Sequence, residues 1–163
     1  RRFNNFFGNY FAEPQPLLSP AKKIIGTDGR KMSKSYNNAV YLTDSPDEIG
    51  KKIGKMITDP KRINKSTPGR PEVCSVYTLH EVVSAEQLAD IYEQCTTAQR
   101  GCVDCKKICA GMVGAALADF RERRREVEAE AHVVESVLSL GRTKVRPVAE
   151  LTIEDVRKRM NII

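Results

Sequence analysis

Gly26-Thr27-Asp28-Gly29-Arg30-Lys31-Met32-Ser33-Lys34-Ser35 is the stretch on which the reading of this chain turns. Its second half places two lysines and two serines on a segment led in by glycines. Two ammonium groups on long stems can reach a polyphosphate, and the hydroxyls and turn amides can donate hydrogen bonds to its oxygens. The pattern is not a Walker loop, because no Gly-x-x-x-x-Gly precedes a Lys-Ser pair. Lys31, Met32, Ser33, Lys34 and Ser35 are therefore candidates for binding a nucleotide's phosphates. A solvated Lys/Ser loop is the plainer reading.

Around that stretch the chain changes character. Residues 22–28, with Ile24 and Ile25, predict a short buried strand, and 29–38 the phosphate loop. Upstream, residues 1–7 predict the end of a helix stopped by Gly8, and the prolines among residues 9–20 an extended segment. Downstream, Ser45-Pro46-Asp47-Glu48 predicts a capped helix start, followed by Ile49, Ile53, Met56 and Ile57 at helical spacing, with Thr58-Asp59-Pro60 as the stop. Further helices are predicted around Val76 and His80, from Ser84-x-x-Gln87 to Cys95, over about 103–118, and over 119–140 up to Gly141. Thr152-x-x-Asp155 predicts a cap for a last one. The fold class follows: mainly α, a helical domain over residues 46–163, preceded over residues 1–45 by the closing piece of a Rossmann-like α/β domain.

Composition narrows the partners. The 163 residues carry a net charge of +6, which favours polyanions and nucleic acid first. No run of 18 apolar residues is present, so no membrane span is expected. The opening Arg1-Arg2-Phe3 shows neither an initiator Met nor a leader pattern, and the chain reads as the C-terminal piece of a longer protein.

Five cysteines are many for such a chain. Cys95-x6-Cys102-x2-Cys105 is compact, and a Cys-x2-Cys bite can place two thiolates on one ion or cluster. Cys74 is the candidate fourth ligand. Cys109, one helical turn past Cys105, can substitute but reads better as a core thiol. The soft-donor set is open to a 4Fe–4S cluster, to zinc, or to plain reduced thiols. His80 and His132 have no partner at a telling spacing and read as ordinary helix residues. Arg121, Arg123, Arg124 and Arg125 alternate with glutamates, as on a solvated, ion-paired face, or contact phosphates. Lys106 and Lys107 are the better candidates for RNA contact.

Gly29-x-Lys31-Met32-Ser33-Lys34-Ser35-Tyr36-x-Asn38 resembles the second signature of class I aminoacyl-tRNA synthetases. With Arg1-Arg2-Phe3-Asn4-Asn5-x-x-Gly8, Thr58-Asp59-Pro60-x-Arg62, Gly101-Cys102-x-x-Cys105-Lys106-Lys107 and Arg121-x-Arg123-Arg124, the chain resembles the bacterial tryptophanyl-tRNA synthetases along nearly its whole length. That resemblance implies a tryptophan–tRNA ligase that activates L-tryptophan with ATP and Mg²⁺ and charges tRNA(Trp). It also implies a homodimer in the full-length family and a cytoplasmic setting. Lys31 and Lys34 would be the catalytic cations, and residues 46–163 the anticodon-binding side. Some members have a 4Fe–4S cluster on a similar cysteine pattern with a first gap two residues longer. Nothing here resembles the first class I signature or the tryptophan pocket, so these residues alone are expected to be inactive. The alternatives from other classes are a non-catalytic tRNA-binding module and an iron–sulfur electron-transfer domain. The phosphate loop disfavours the latter, which has no use for it.

Overall fold

The computed structural model describes residues 1–19 and 23–162. Among these the architecture is helical, and in place of a sheet there is an isolated antiparallel bridge between Ile25 and Lys31. The strand expected over residues 22–28 does not form, and residue 22, like Pro20, lies outside the described residues. The reason is local. The chain turns back over Gly26–Arg30, so Ile24 and Ile25 meet Lys31 and Met32 for one bridge and no more, with Met32 N–H donating to the Ile24 carbonyl at 2.9 Å. The described chain forms two compact units, Leu18–Arg123 and Arg1–Leu17 with Arg124–Ile163.

In the larger unit, α2 (Pro46–Gly54) begins as its sequence requires. Ser45 Oγ accepts from Glu48 N–H, and Glu48 Oε2 accepts from Ser45 N–H at 2.8 Å, a complete capping box with Pro46 in the first turn. The helix ends at Gly54 rather than at Thr58-Asp59-Pro60. Met56 is nonetheless buried and Ile57 half exposed, because both follow the helix in a turn. Then come α3 (Ser75–Val83), α4 (Leu88–Thr96) and α5 (Cys102–Ala116). Ser84 does not cap α4. Its hydroxyl meets His80 Nδ1 at 3.0 Å instead, and a 3₁₀ turn over Ala85–Gln87 leads into the helix. Ile49 and Ile53 of α2 pack with Val76 and Leu79 of α3 and Cys109 and Val113 of α5. Burying an isoleucine side chain of this kind contributes about 1.5–3 kcal/mol, which makes this three-helix contact the frame that carries the loops.

In the smaller unit, α1 (Arg2–Phe7) ends at Gly8 with a φ of 82°. Phe3 stacks edge-on with Phe11, and Tyr10 Oη meets Asp155 Oδ2 while the Arg159 guanidinium lies over its ring at 4.7 Å. The helix expected over 119–140 is instead α6 (Ala118–Ala129), whose residues up to Arg123 belong to the larger unit, interrupted where Glu130 leaves helical geometry, and α7 (Ala131–Arg159) runs through both Gly141 and Pro147. A mid-helix glycine weakens a helix by roughly 1 kcal/mol without ending it, and propagation adds a bond per residue once a helix exists. Thr152 caps nothing: its hydroxyl bonds back to the Val148 carbonyl at 2.8 Å within the helix. The Arg146–Glu150 and Glu154–Lys158 pairs, each one turn apart, support the run.

Candidate functional site

Two groups of predicted residues lie in the Leu18–Arg123 unit, and the first is the lysine loop. Gly26 N–H donates to the Arg30 carbonyl at 2.7 Å and Gly29 adopts a φ of 81°, closing the turn that presents Lys31. A Cβ on Gly26 would sit 2.5 Å from the Asn38 side chain, so glycine here permits a close approach. Lys31 and Met32 leave the turn. Ser33 precedes a single 3₁₀ turn over Lys34–Tyr36, and Asn37 reverses the chain in the left-handed region. Ser33 Oγ and Ser35 Oγ are 2.9 Å apart. Met32 is half-buried, whereas Lys31 and Lys34 are exposed. A solvent-facing turn with two exposed cations can bind a polyanion.

Asn38 holds this loop together, and the sequence pattern did not single it out for that. It is 1 % exposed. Its Oδ1 accepts from Ser33 N–H at 2.7 Å, and its Nδ2 donates to Asp28 Oδ1 at 2.7 Å and to the Lys31 carbonyl at 3.2 Å. The Asn38 amide, followed by Arg30, brings the Asp28 carboxyl down to about 2, so Asp28 is ionised at neutral pH.

The second group is the cysteines. Cys74, Cys95, Cys102 and Cys105 line one cavity of about 20 Å³ together with Arg62 and Arg100. All are free thiols. Cys95 Sγ accepts from an Arg62 guanidinium nitrogen at 3.7 Å, and the same side chain donates to the Arg100 carbonyl at 2.8 Å. Cys105 Sγ lies 3.4 Å from His80 Nε2, so His80, fully buried, is not an ordinary helix residue. Its four-residue spacing to Ser84 was the one available signal. Burial, then the neighbouring Cys74 and Cys95, pushes the Cys105 thiol up to about 11; burial likewise raises Cys74 and Cys95. Cys109 stays out of this cavity, in the core, with its thiol raised to about 12 by burial.

In kind, four soft sulfurs around one enclosed, largely apolar cavity suit a thiolate-bound cluster or ion. Among the described residues, no group of three or more His, Cys, Asp and Glu side chains stands close enough to hold a metal ion. The cavity has room for about one water. Loading would therefore require the thiols to rearrange and to lose their protons.

The basic candidates are spread out. Lys106 Nζ donates to the Gly54 carbonyl at 3.0 Å, at the end of α2, while Lys107 is exposed, and both line a groove with Gly50, Gly54, Val103 and Ala110. Arg121 bonds the Gly114 carbonyl, and Arg124 pairs with Glu128 at 2.7 Å. No helix of the described residues is long and apolar enough to cross a membrane.

The family model for tRNA synthetases class I (W and Y) matches residues 1–118, over half of the chain. The chain belongs to this family. Among relatives of these class I synthetases, it is 45 % identical to the tryptophan–tRNA ligase of Aquifex aeolicus over 99 % of its own length and 42 % of that protein. It is 43 % identical to the tryptophan–tRNA ligase of Thermotoga maritima over all of its own length and 50 % of that protein. The chain thus spans about half the length of the curated relatives it matches. Its fold is that of the tryptophanyl-tRNA synthetase of Campylobacter jejuni solved with ADP and tryptophan, with a TM-score of 0.78, 23 % identity, and coverage of 98 % of this chain and 50 % of that one.

Proposed function

We propose that this class I synthetase chain is the phosphate-loop and anticodon-side half of a tryptophan–tRNA ligase, an ATP-dependent, AMP-forming enzyme that charges tRNA(Trp) with L-tryptophan. Residues 1–45 close its catalytic domain, and residues 46–163 face the anticodon. The parent works in the cytoplasm as a homodimer. The observation that supports this reading most directly is the loop itself, two exposed lysines on a turn pinned by Asn38, in a chain 45 % identical to a named tryptophan–tRNA ligase.

In the activation step a tryptophan carboxylate oxygen attacks the α-phosphorus of ATP, a new P–O bond forms, and the bond to pyrophosphate breaks. Negative charge grows on the leaving phosphates. Lys31 and Lys34 meet that charge with cations that need little reorganisation. Mg²⁺, when bound with ATP, shares the neutralisation. Ser33 and Ser35 hold phosphate oxygens or each other, and Met32 anchors the loop. In pyrophosphate exchange by the full-length enzyme, Lys34→Ala lowers kcat by about 10²-fold or more. An unchanged rate removes Lys34 from the mechanism.

The cysteine quartet carries a finer proposal: Cys74, Cys95, Cys102 and Cys105 hold a 4Fe–4S cluster, zinc being the other metal suited to these donors. Bound there, the cluster would staple α3, α4 and α5 together. Anaerobically purified protein then shows a broad band near 400 nm with about four irons and four sulfides per chain. One zinc and no colour keeps the site and changes the ion. No metal after reconstitution makes these residues plain thiols.

A further inference from the structure

Asn38 directs both amide hydrogens and its amide oxygen at the lysine loop. Its two amide hydrogens go to the Asp28 carboxylate and the Lys31 carbonyl, and its oxygen receives the Ser33 N–H. The two backbone groups it holds are those flanking Met32, the residue between Lys31 and Ser33. Its own carbonyl accepts from Thr27 N–H at 2.9 Å, which ties the entry of the loop to its exit. Asp28 extends the tie, because it also accepts from Arg30 N–H at 3.0 Å and Arg30 Nε at 2.8 Å. The Arg30 guanidinium in turn lies 4.2 Å over the Tyr36 ring, at the far end of the 3₁₀ turn that carries Lys34. Asn38 is too buried to touch a substrate.

We propose that Asn38, with Asp28 as its acceptor, is a positioning residue that fixes the backbone from which Lys31 and Lys34 reach the leaving phosphates. The proposal rests on the phosphate-loop reading above. An amide is required at this position, because it must donate twice and accept once. A carboxylate accepts only and would face Asp28 charge to charge. Misplacing a charge-stabilising group by about an ångström can cost 10²-fold.

The test uses the full-length enzyme and pyrophosphate exchange, with Lys34→Ala, Asn38→Ala, Asn38→Asp and the Lys34→Ala/Asn38→Ala pair. Asn38→Ala and Asn38→Asp each lower kcat by about 10–10²-fold while the KM for tryptophan stays within about twofold. In the pair the two losses do not multiply, because Lys34 is already misplaced once Asn38 is gone. A merely structural asparagine leaves the losses multiplicative, and that result, or an unchanged kcat, overturns the proposal. An ineffective Lys34→Ala overturns the reading beneath it instead. If Asn38→Ala loses its helical circular dichroism, Asp28→Asn, which keeps the shape but replaces an oxygen that accepts from Asn38 or Arg30 with a donor, is measured in the same way: a lowered kcat supports the proposal and an unchanged kcat overturns it.

Discussion

Arg70 holds the Asp59 carboxylate at three points, through its own N–H at 3.1 Å and through Nε at 3.0 Å and a terminal guanidinium nitrogen at 2.5 Å. Lys61 N–H adds a fourth donor to the same carboxylate, which is 5 % exposed and held well below the usual range, chiefly by the Arg70 side chain. The pair closes the loop over residues 59–70. Within that loop, Gly69 N–H donates to the Cys95 carbonyl at 2.9 Å, and the missing Cβ of Gly69 leaves room for Cys95 Sγ. The Asp59–Arg70 pair thus closes the loop that carries Arg62, which lines the cysteine cavity.

Arg70→Lys keeps the charge and loses the fork that matches a carboxylate. The thermal midpoint falls by roughly 5 °C, and Cys95 reacts faster with a thiol reagent. Equal midpoints and equal labelling rates in the two proteins show that the fork does not matter.

Acid should loosen the lysine loop at a defined point. The folded Asp28 carboxyl titrates at about 2, against roughly 3.9 in an unfolded chain. Its contribution to stability is thus complete above about pH 4 and is lost as the pH falls toward 2. The thermal midpoint of Asp28→Asn falls less steeply than that of the unaltered chain between pH 5 and 2. Parallel curves mean that Asp28 is not held by Asn38 and Arg30 in solution.

Ile53, with no exposed surface, lies between α2, α3 and α5. Ile53→Ala removes three heavy atoms from a closed core and lowers unfolding stability by about 2–5 kcal/mol. Ile63→Ala, at a residue 86 % exposed, changes it by less than about 0.5 kcal/mol. Urea denaturation compares the two, and equal effects mean that the three-helix core is not as described.

Lys106 and Lys107 differ in what they already do. Lys106 is bonded to a carbonyl at the end of α2, and Lys107 is exposed. If both meet tRNA phosphates, replacing both with alanine lowers the slope of log affinity against log salt by roughly 1–2. An unchanged slope makes them groove-lining cations without an RNA role.

Local chemistry made part of this molecule legible in advance. Ser45-Pro46-Asp47-Glu48 had to start a helix, because the cap, the proline and the glutamate satisfy the first amides within one turn. Gly8 ended α1 for a similarly local reason. The Lys31–Ser35 run and the Cys102/Cys105 spacing stood out as candidates by residue type alone. Where two local signals conflicted with a long helix, at Gly141 and Thr152, the helix prevailed, since breaking it would forfeit hydrogen bonds already made.

The remainder depends on groups that no local pattern pairs. By itself the sequence determined the helical class, the capped start of α2 and which residue types could meet phosphates or soft metals, because each follows from the backbone and side chains of a few neighbouring positions. Only the tertiary structure decided that Asn38 reaches back to Asp28, that His80 faces Cys105, and that Cys74 joins three cysteines more than twenty residues away around one cavity. Those pairings form because α2, α3 and α5 bury their apolar faces against one another, and the polar groups carried inward with them must then find partners where the packing leaves them.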